Sequence, residues 1–277
     1  MVLDMAQAII SNLPRSFNLE QRILAQLPEG EEINARTRAN MRFFEKNPEL
    51  WINIRGNDDA QSCDDAAAKR GNLGNVGVPK HLELKTVGRI HKLPNGKSQI
   101  VLAHCAADEN IDNAALKATL RTESKLSSFR TEAIPFGTFS PFLFDDQFIE
   151  EELKVHPFQV EKKGKWRDLD LAELDDEQPV LNVFSSALGI SGHDSYVAVN
   201  KTSVSLGYMT TNFGHHNLGV QFRPYEATRA MEKSGDAIIG AITPDPWNSK
   251  LLQSREQEAS QHKIGIITGN SSRLRTH

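Results

Sequence analysis

Cysteine is scarce in this chain of 277 residues: Cys63 and Cys105 are the only two, far apart and in no Cys-x-x-Cys pair. A disulfide framework and a structural zinc site are both unsupported, and the thiols read as buried or incidental. Long apolar runs are missing too. No stretch reaches the 18 residues a membrane-crossing helix needs, and the opening Met1-Val2-Leu3-Asp4-Met5 has no basic segment of the kind that starts a secretory signal. The expected location is cytoplasmic, with no membrane partner. Nor is there an excess of positive charge, since 32 Lys and Arg against 36 Asp and Glu leave −4. That balance excludes a protein coating nucleic acid through a broad phosphate footprint, and still allows a few local cations to grip a single-stranded end.

Familiar catalytic signatures are also absent. There is no Gly-x-Ser-x-Gly elbow, no His-Glu-x-x-His and no catalytic Cys-His pattern. Gly71-x-x-Gly74-x-x-Gly77 lacks the Gly-Lys-Ser/Thr ending of a phosphate loop and reads as a flexible connection.

What is present fits a mixed α/β fold of one large or two ordinary domains. Apolar spacing predicts short helices over 2–13 and 19–27, the second capped by Asn18 and stopped by Pro28-Glu29-Gly30. A third helix over 33–46 ends before Pro48, and 51–54 alternates like a strand. Ser62, followed by Asp64, Asp65 and Ala66-Ala67-Ala68, caps a helix closing at Gly71. Residues 82–93 and 97–106 form two β-type runs joined by Pro94-Asn95-Gly96, where Asn-Gly supplies the positive φ angles of a tight hairpin. These two strands are expected at the centre of the sheet. Lys85 lies in the first of them, its ammonium either in solvent or facing a pocket as a binder of phosphate or carboxylate. Asp112 is placed to cap the next helix.

Beyond it, Ile134-Pro135-Phe136-Gly137-Thr138-Phe139-Ser140-Pro141-Phe142 sets Gly137-x-x-x-Pro141 among aromatics. Glycine permits close approach of a ligand to the main chain and the prolines stiffen the flanks; a plain turn between buried Phe residues is the competing reading. Lys162-Lys163-Gly164-Lys165-Trp166-Arg167 reads as a solvated surface hairpin, with contact to an RNA stem as its alternative. His215-His216 is either a polar turn or functional, and no third ligand at helical spacing suggests a metal.

In this order, Ser62-Cys63-Asp64-Asp65-Ala66-Ala67, Gly71, Leu84-Lys85-Thr86, the hairpin, Ile111-Asp112-x-x-Ala115-Leu116 and Gly137-x-x-x-Pro141 resemble the YbaK-type aminoacyl-tRNA deacylases. That family includes the editing domain inserted in bacterial prolyl-tRNA synthetases. Asn212-Phe213-Gly214-His215-His216, followed by Gly219-Val220-Gln221-Phe222-Arg223-Pro224, resembles its final turn, strand and Pro-led helix. Val87 replaces the usual Leu, and residues 145–195 match poorly.

The resemblance implies a curved, mostly antiparallel central sheet with flanking helices over 31–240, with 1–30 as a helical extension. It implies hydrolysis of the ester of a mischarged tRNA, bound by its acceptor end, without cofactor or metal; an aminoacyl-tRNA synthetase is a further candidate partner. By the same resemblance the catalytic set is Gly137, Thr138, Ser140, Pro141 and His215 or His216. The substrate-binding set is Lys85, Thr86, Phe136, Phe139, Asn212 and Gly214. Hydrolysing an activated ester needs positioning and oxyanion stabilisation more than a strong base, which fits the missing signatures. Selectivity would come from pocket size. The alternative is a non-catalytic module of the same fold that binds a tRNA end or a nucleotide. In 241–277, after Pro244-Asp245-Pro246, a polar helix over 247–260 precedes a strand-like 263–271, which resembles the opening of aspartate/glutamate-type amino-acid racemases. Racemase activity is not expected from so short a stretch.

Overall fold

The computed structural model describes residues 18–57, 60, 62–69, 80–131, 134, 138–188 and 209–244. The expected helix over 2–13, the glycine-rich connection and the two elements after residue 246 lie outside them.

Caps set the helices where the sequence places them. Asn18 accepts from the Glu20 amide at 3.0 Å and opens α1 (Leu19–Leu24), shorter than expected at its C-terminal end. Its Ile23 is fully buried in one core with Phe44, Phe213, Val220 and Phe222. α2 (Ala35–Lys46) starts two residues late because Asn34 takes the cap, accepting from the Thr37 amide at 2.8 Å. β1 (Ile52–Gly56) follows, then α3 (Cys63–Lys69), where Ser62 accepts from the Asp65 amide at 3.1 Å.

The expected hairpin is β2 (Leu84–Lys92) with β3 (Ser98–Ala106), paired from Leu84↔Ala106 to Lys92↔Ser98. Its turn differs in one respect: only Gly96 has positive φ (85°), and Pro94-Asn95 lead into it, a three-residue loop rather than a two-residue Asn-Gly turn. α4 (Asn113–Thr119) is capped by Asp112, and β4 (Ser127–Arg130) leads toward the Gly137 region. α5 (Asp146–Val155), β5 (Phe158–Lys162), β6 (Lys165–Leu169) and β7 (Val180–Ser185) fill the poorly matching segment. β5 and β6 form the expected surface hairpin, with Arg130 stacked 4.2 Å over the exposed Trp166 ring. β8 (Met209–Asn212), β9 (Leu218–Phe222), the Pro-led α6 (Pro224–Ser234) and β10 (Ala237–Gly240) complete the described chain.

The fold is mixed α/β and mostly antiparallel. Seven strands run in the order β10-β7-β3-β2-β4-β5-β6, and β1-β9-β8 form a second sheet. Among the described strand pairs only β10 with β7 and β7 with β3 are parallel, besides isolated parallel bridges at Glu83↔Thr210 and Ser98↔Leu174. Side chains alternate across the large sheet. Ile90, Ile100 and Leu102 pack on Ala39 of α2 and Phe148, Ile149 and Leu153 of α5. Val101, Ala103 and Val183 face the other way, onto Leu116 of α4 and Ile242. No helix among the described residues is long and apolar enough to cross a membrane.

Candidate functional site

The site follows from a change of partner along β2. At its foot Glu83 bridges to Thr210 of β8; at its top Arg89 and Ile90 pair with Ser128 and Ser127 of β4. Between them, residues 84–88 pair only with β3 among the described residues, which leaves the other edge of the strand open to them. A cavity of about 240 Å³ lies along that edge. Ser62, Cys63 and Ala66 of the α3 region close one side, Phe129 and Phe139 another, and Thr211 and Asn212 the base. Lys85, Thr86, Phe139 and Asn212, four of the residues the sequence marks for substrate, thus border one space.

Lys85 projects to the α4 side of the sheet, as its register partner Cys105 does. Its ammonium neither sits free in solvent nor points openly into the cavity: it donates to the Glu109 carbonyl, and at 3.4 Å to the Ala107 carbonyl and the Asn110 side-chain oxygen. A half-buried cation with carbonyl partners is held in place at the cavity border, where a low local dielectric strengthens its pull on an anion. Burial pushes the neighbouring Cys105 thiol up to about 12, the Lys85 charge opposing, so this thiol stays protonated and inert. Arg89, on the same face, bonds the Gly88 carbonyl at 2.9 Å and Asn113 at 3.3 Å, and burial lowers its pKa.

Thr86 projects to the opposite face. Its hydroxyl lies 3.0 Å from Nδ1 of His104, its register partner on β3, and His104 Nε2 lies 2.8 Å from Oδ1 of Asn182 on β7. The His104 ring is fully buried and stacked on Phe184 at 4.5 Å between centroids. Burial drives its pKa down to about 4, against the bond to Asn182, so at neutral pH it is uncharged. Asn182 also borders a second cavity of about 700 Å³, between α2, the start of α5 and α6.

Of the Gly-Pro loop, Gly137 and Phe136 lie outside the described residues. Thr138 and Ser140 are fully buried, and the Ser140 hydroxyl donates to Oδ1 of Asn40 on α2. Asn40 must present its oxygen there because its amide nitrogen donates to the Arg36 carbonyl at 2.8 Å. Pro141 borders the second cavity, away from β2. Just downstream, Asp145 caps α5 and holds Arg42 of α2 through two bonds, one of 2.8 Å, so α2 fixes both ends of segment 140–145. Phe139 is the described loop residue that reaches the open edge of β2.

The turn after β8 is built by its own polar groups. Asn212 accepts from the Gly214 amide at 2.5 Å and donates to the His215 carbonyl at 3.0 Å. Gly214 has φ 87° and lies against α2 so closely that a Cβ would stand 2.6 Å from the Thr37 nitrogen; only glycine fits. His215 accepts from the Asn217 amide at 3.1 Å and reaches Glu31 at 3.5 Å. His216 lies 3.3 Å from the Ala60 carbonyl. Neither histidine, nor Gly214, is among the residues bordering the cavity at β2.

Reasoning from sequence missed Glu83, Phe129, His104 and Asn182. Glu83 and Phe129 border the cavity, Glu83 with its buried carboxylate accepting from the Thr210 hydroxyl. A carboxylate one residue before a strand, and a histidine and an asparagine inside apolar strand runs, were the available signals: such groups are buried only with partners.

No family model matches the chain, and no curated protein does. Among solved structures it is similar to a candidate trans-editing enzyme for prolyl tRNA synthetase, at TM-score 0.45 and 10% identity over 77% of this chain and 99% of the other. It is also similar to a scaffold from computational backbone grafting of linear epitopes, at TM-score 0.43 and 10% identity over 76% and 99%. Overlaps this loose carry no information on chemistry.

Proposed function

We propose that the protein is an aminoacyl-tRNA deacylase that clears mischarged tRNA in trans, using the cavity at the open edge of β2. The observation carrying this reading is the meeting of Lys85, Thr86, Phe139 and Asn212 around one small space. A cavity of about 240 Å³ has room for an aminoacyl group. Lys85 contributes a fixed positive charge for the terminal phosphate, and Phe139 and Phe129 form an apolar wall against the amino-acid side chain. Water attacks the ester carbon, and main-chain groups of the open edge orient it. His215 or His216 would serve from the neighbouring turn only if the acceptor end extends to it.

The competing reading is a module of the same fold that binds a tRNA end or nucleotide without hydrolysing it. Its support is that the Lys85 ammonium already has carbonyl partners, an arrangement suited to holding a ligand rather than to polarising one. Deacylation of a panel of aminoacyl-tRNAs separates the two. Under the first reading at least one ester is cleared, and Lys85→Ala binds a minimal acceptor helix roughly tenfold or more weakly. Undiminished affinity in Lys85→Ala would refute the role given to this lysine, and survival of every ester alongside tRNA binding would establish the module.

A further inference from the structure

From the line of Thr86, His104 and Asn182 across β2, β3 and β7 we infer that His104 and Asn182 are positioning residues that make the Thr86 hydroxyl a hydrogen-bond acceptor toward the cavity. The inference deepens the proposed deacylase reading by naming a recognition element for the ligand's donor group.

In the structure the Asn182 amide turns Oδ1 toward the ring, and an amide oxygen only accepts, which assigns the ring proton to the His104 Nε2 at 2.8 Å. A neutral ring protonated on Nε2 has a bare Nδ1, and the Thr86 hydroxyl 3.0 Å away must then donate its one hydrogen to it. With that hydrogen spent, the Thr86 oxygen offers lone pairs only, and Thr86 borders the cavity. A ligand group set against it has to donate. In an aminoacyl ester the charged donor is the α-ammonium, beside the neutral ribose hydroxyl; a deaminated relative keeps the hydroxyl and lacks the ammonium.

A Ser-His-Asp type of nucleophilic role does not fit the same atoms. The ring is fully buried, and its third partner is a neutral amide rather than a carboxylate, so an imidazolium formed by taking the Thr86 proton would have no countercharge. The chain of bonds orients Thr86 and does not ionise it.

The test uses the full-length protein and two probes: the stable amide 3′-alanylamino-3′-deoxyadenosine and its deaminated propionyl counterpart. First, nitrogen NMR of the imidazoles should show His104 neutral with its proton on Nε2; a proton on Nδ1 would overturn the inference without any variant. Second, Thr86→Val should weaken the alanyl probe about tenfold or more while leaving the propionyl probe within about twofold. His104→Leu should abolish the same preference, and the double variant should add nothing further. Equal losses for both probes, or none, would overturn it. If the preference follows the prediction but no aminoacyl-tRNA is hydrolysed, the acceptor stands and the deacylase reading falls; if esters are cleared and the preference ignores Thr86, the reverse holds.

Discussion

The two halves of β2 have the same backbone and different surroundings. At Ile90 the strand is paired on both edges, with Ile100 and Ser127, and the side chain is buried. From Lys85 to Gly88 it is paired, among the described residues, only with β3, and every residue is half-buried. One half is scaffold and the other is a wall. The difference teaches that the site is a gap left where β2 leaves β8 and has not yet met β4. Polar side chains are tolerated there because the open edge faces a cavity, while the neighbouring β3 supports them with nine buried positions.

The largest expected effect separates the halves directly. Ile90→Ala should cost about 2–5 kcal/mol through the void it leaves, and Val87→Ala about 1 kcal/mol or less. Chemical denaturation of both variants measures this, and equal costs would erase the distinction. Next comes pH. His104 titrates near 4 when folded, against an ordinary value of 6.5, so the unfolded chain binds the extra proton first on acidification. Its contribution is complete above about pH 6.5 and falls away toward pH 4, by about 3 kcal/mol in all. Relative to His104→Leu, wild-type stability should drop across that window; parallel profiles would mean the ring is not held neutral. The smallest effect sits at the junction. A Cβ on Gly88 would stand 2.4 Å from the Phe129 ring, so Gly88→Ala should cost about 1–3 kcal/mol by forcing that ring to move. The penalty should shrink in a Phe129→Leu background, which a double-mutant cycle resolves.

Much of the local structure was legible because its causes lie within a few residues. Asn18, Ser62 and Asp112 cap the helices expected of them. Pro94-Asn95-Gly96 joins the expected strands, though through a longer loop than the Asn-Gly pair suggested. β7 was not legible. Val180-Leu181-Asn182-Val183-Phe184 is an unbroken run with no alternation, the pattern of a strand covered on both faces, and it lies where the family likeness is poorest. The candidate site was legible only as a set of residues that come together. Lys85, Thr86, Phe139 and Asn212 meet at the cavity, whereas the buried Ser140 bonds Asn40, and Pro141, His215 and His216 lie elsewhere.

By itself the sequence determined the caps, the turns and the pairing of strands that adjoin in the chain, since each depends on side chains reaching a backbone only a few residues away. The tertiary structure alone decided that Glu83 meets Thr210 across 127 residues, that β2 thereby keeps an open edge, and that His104 lies buried between Thr86 and Asn182. Those outcomes depend on distant segments competing for the same strand edge and the same dry volume, a competition that the order of neighbouring residues does not record.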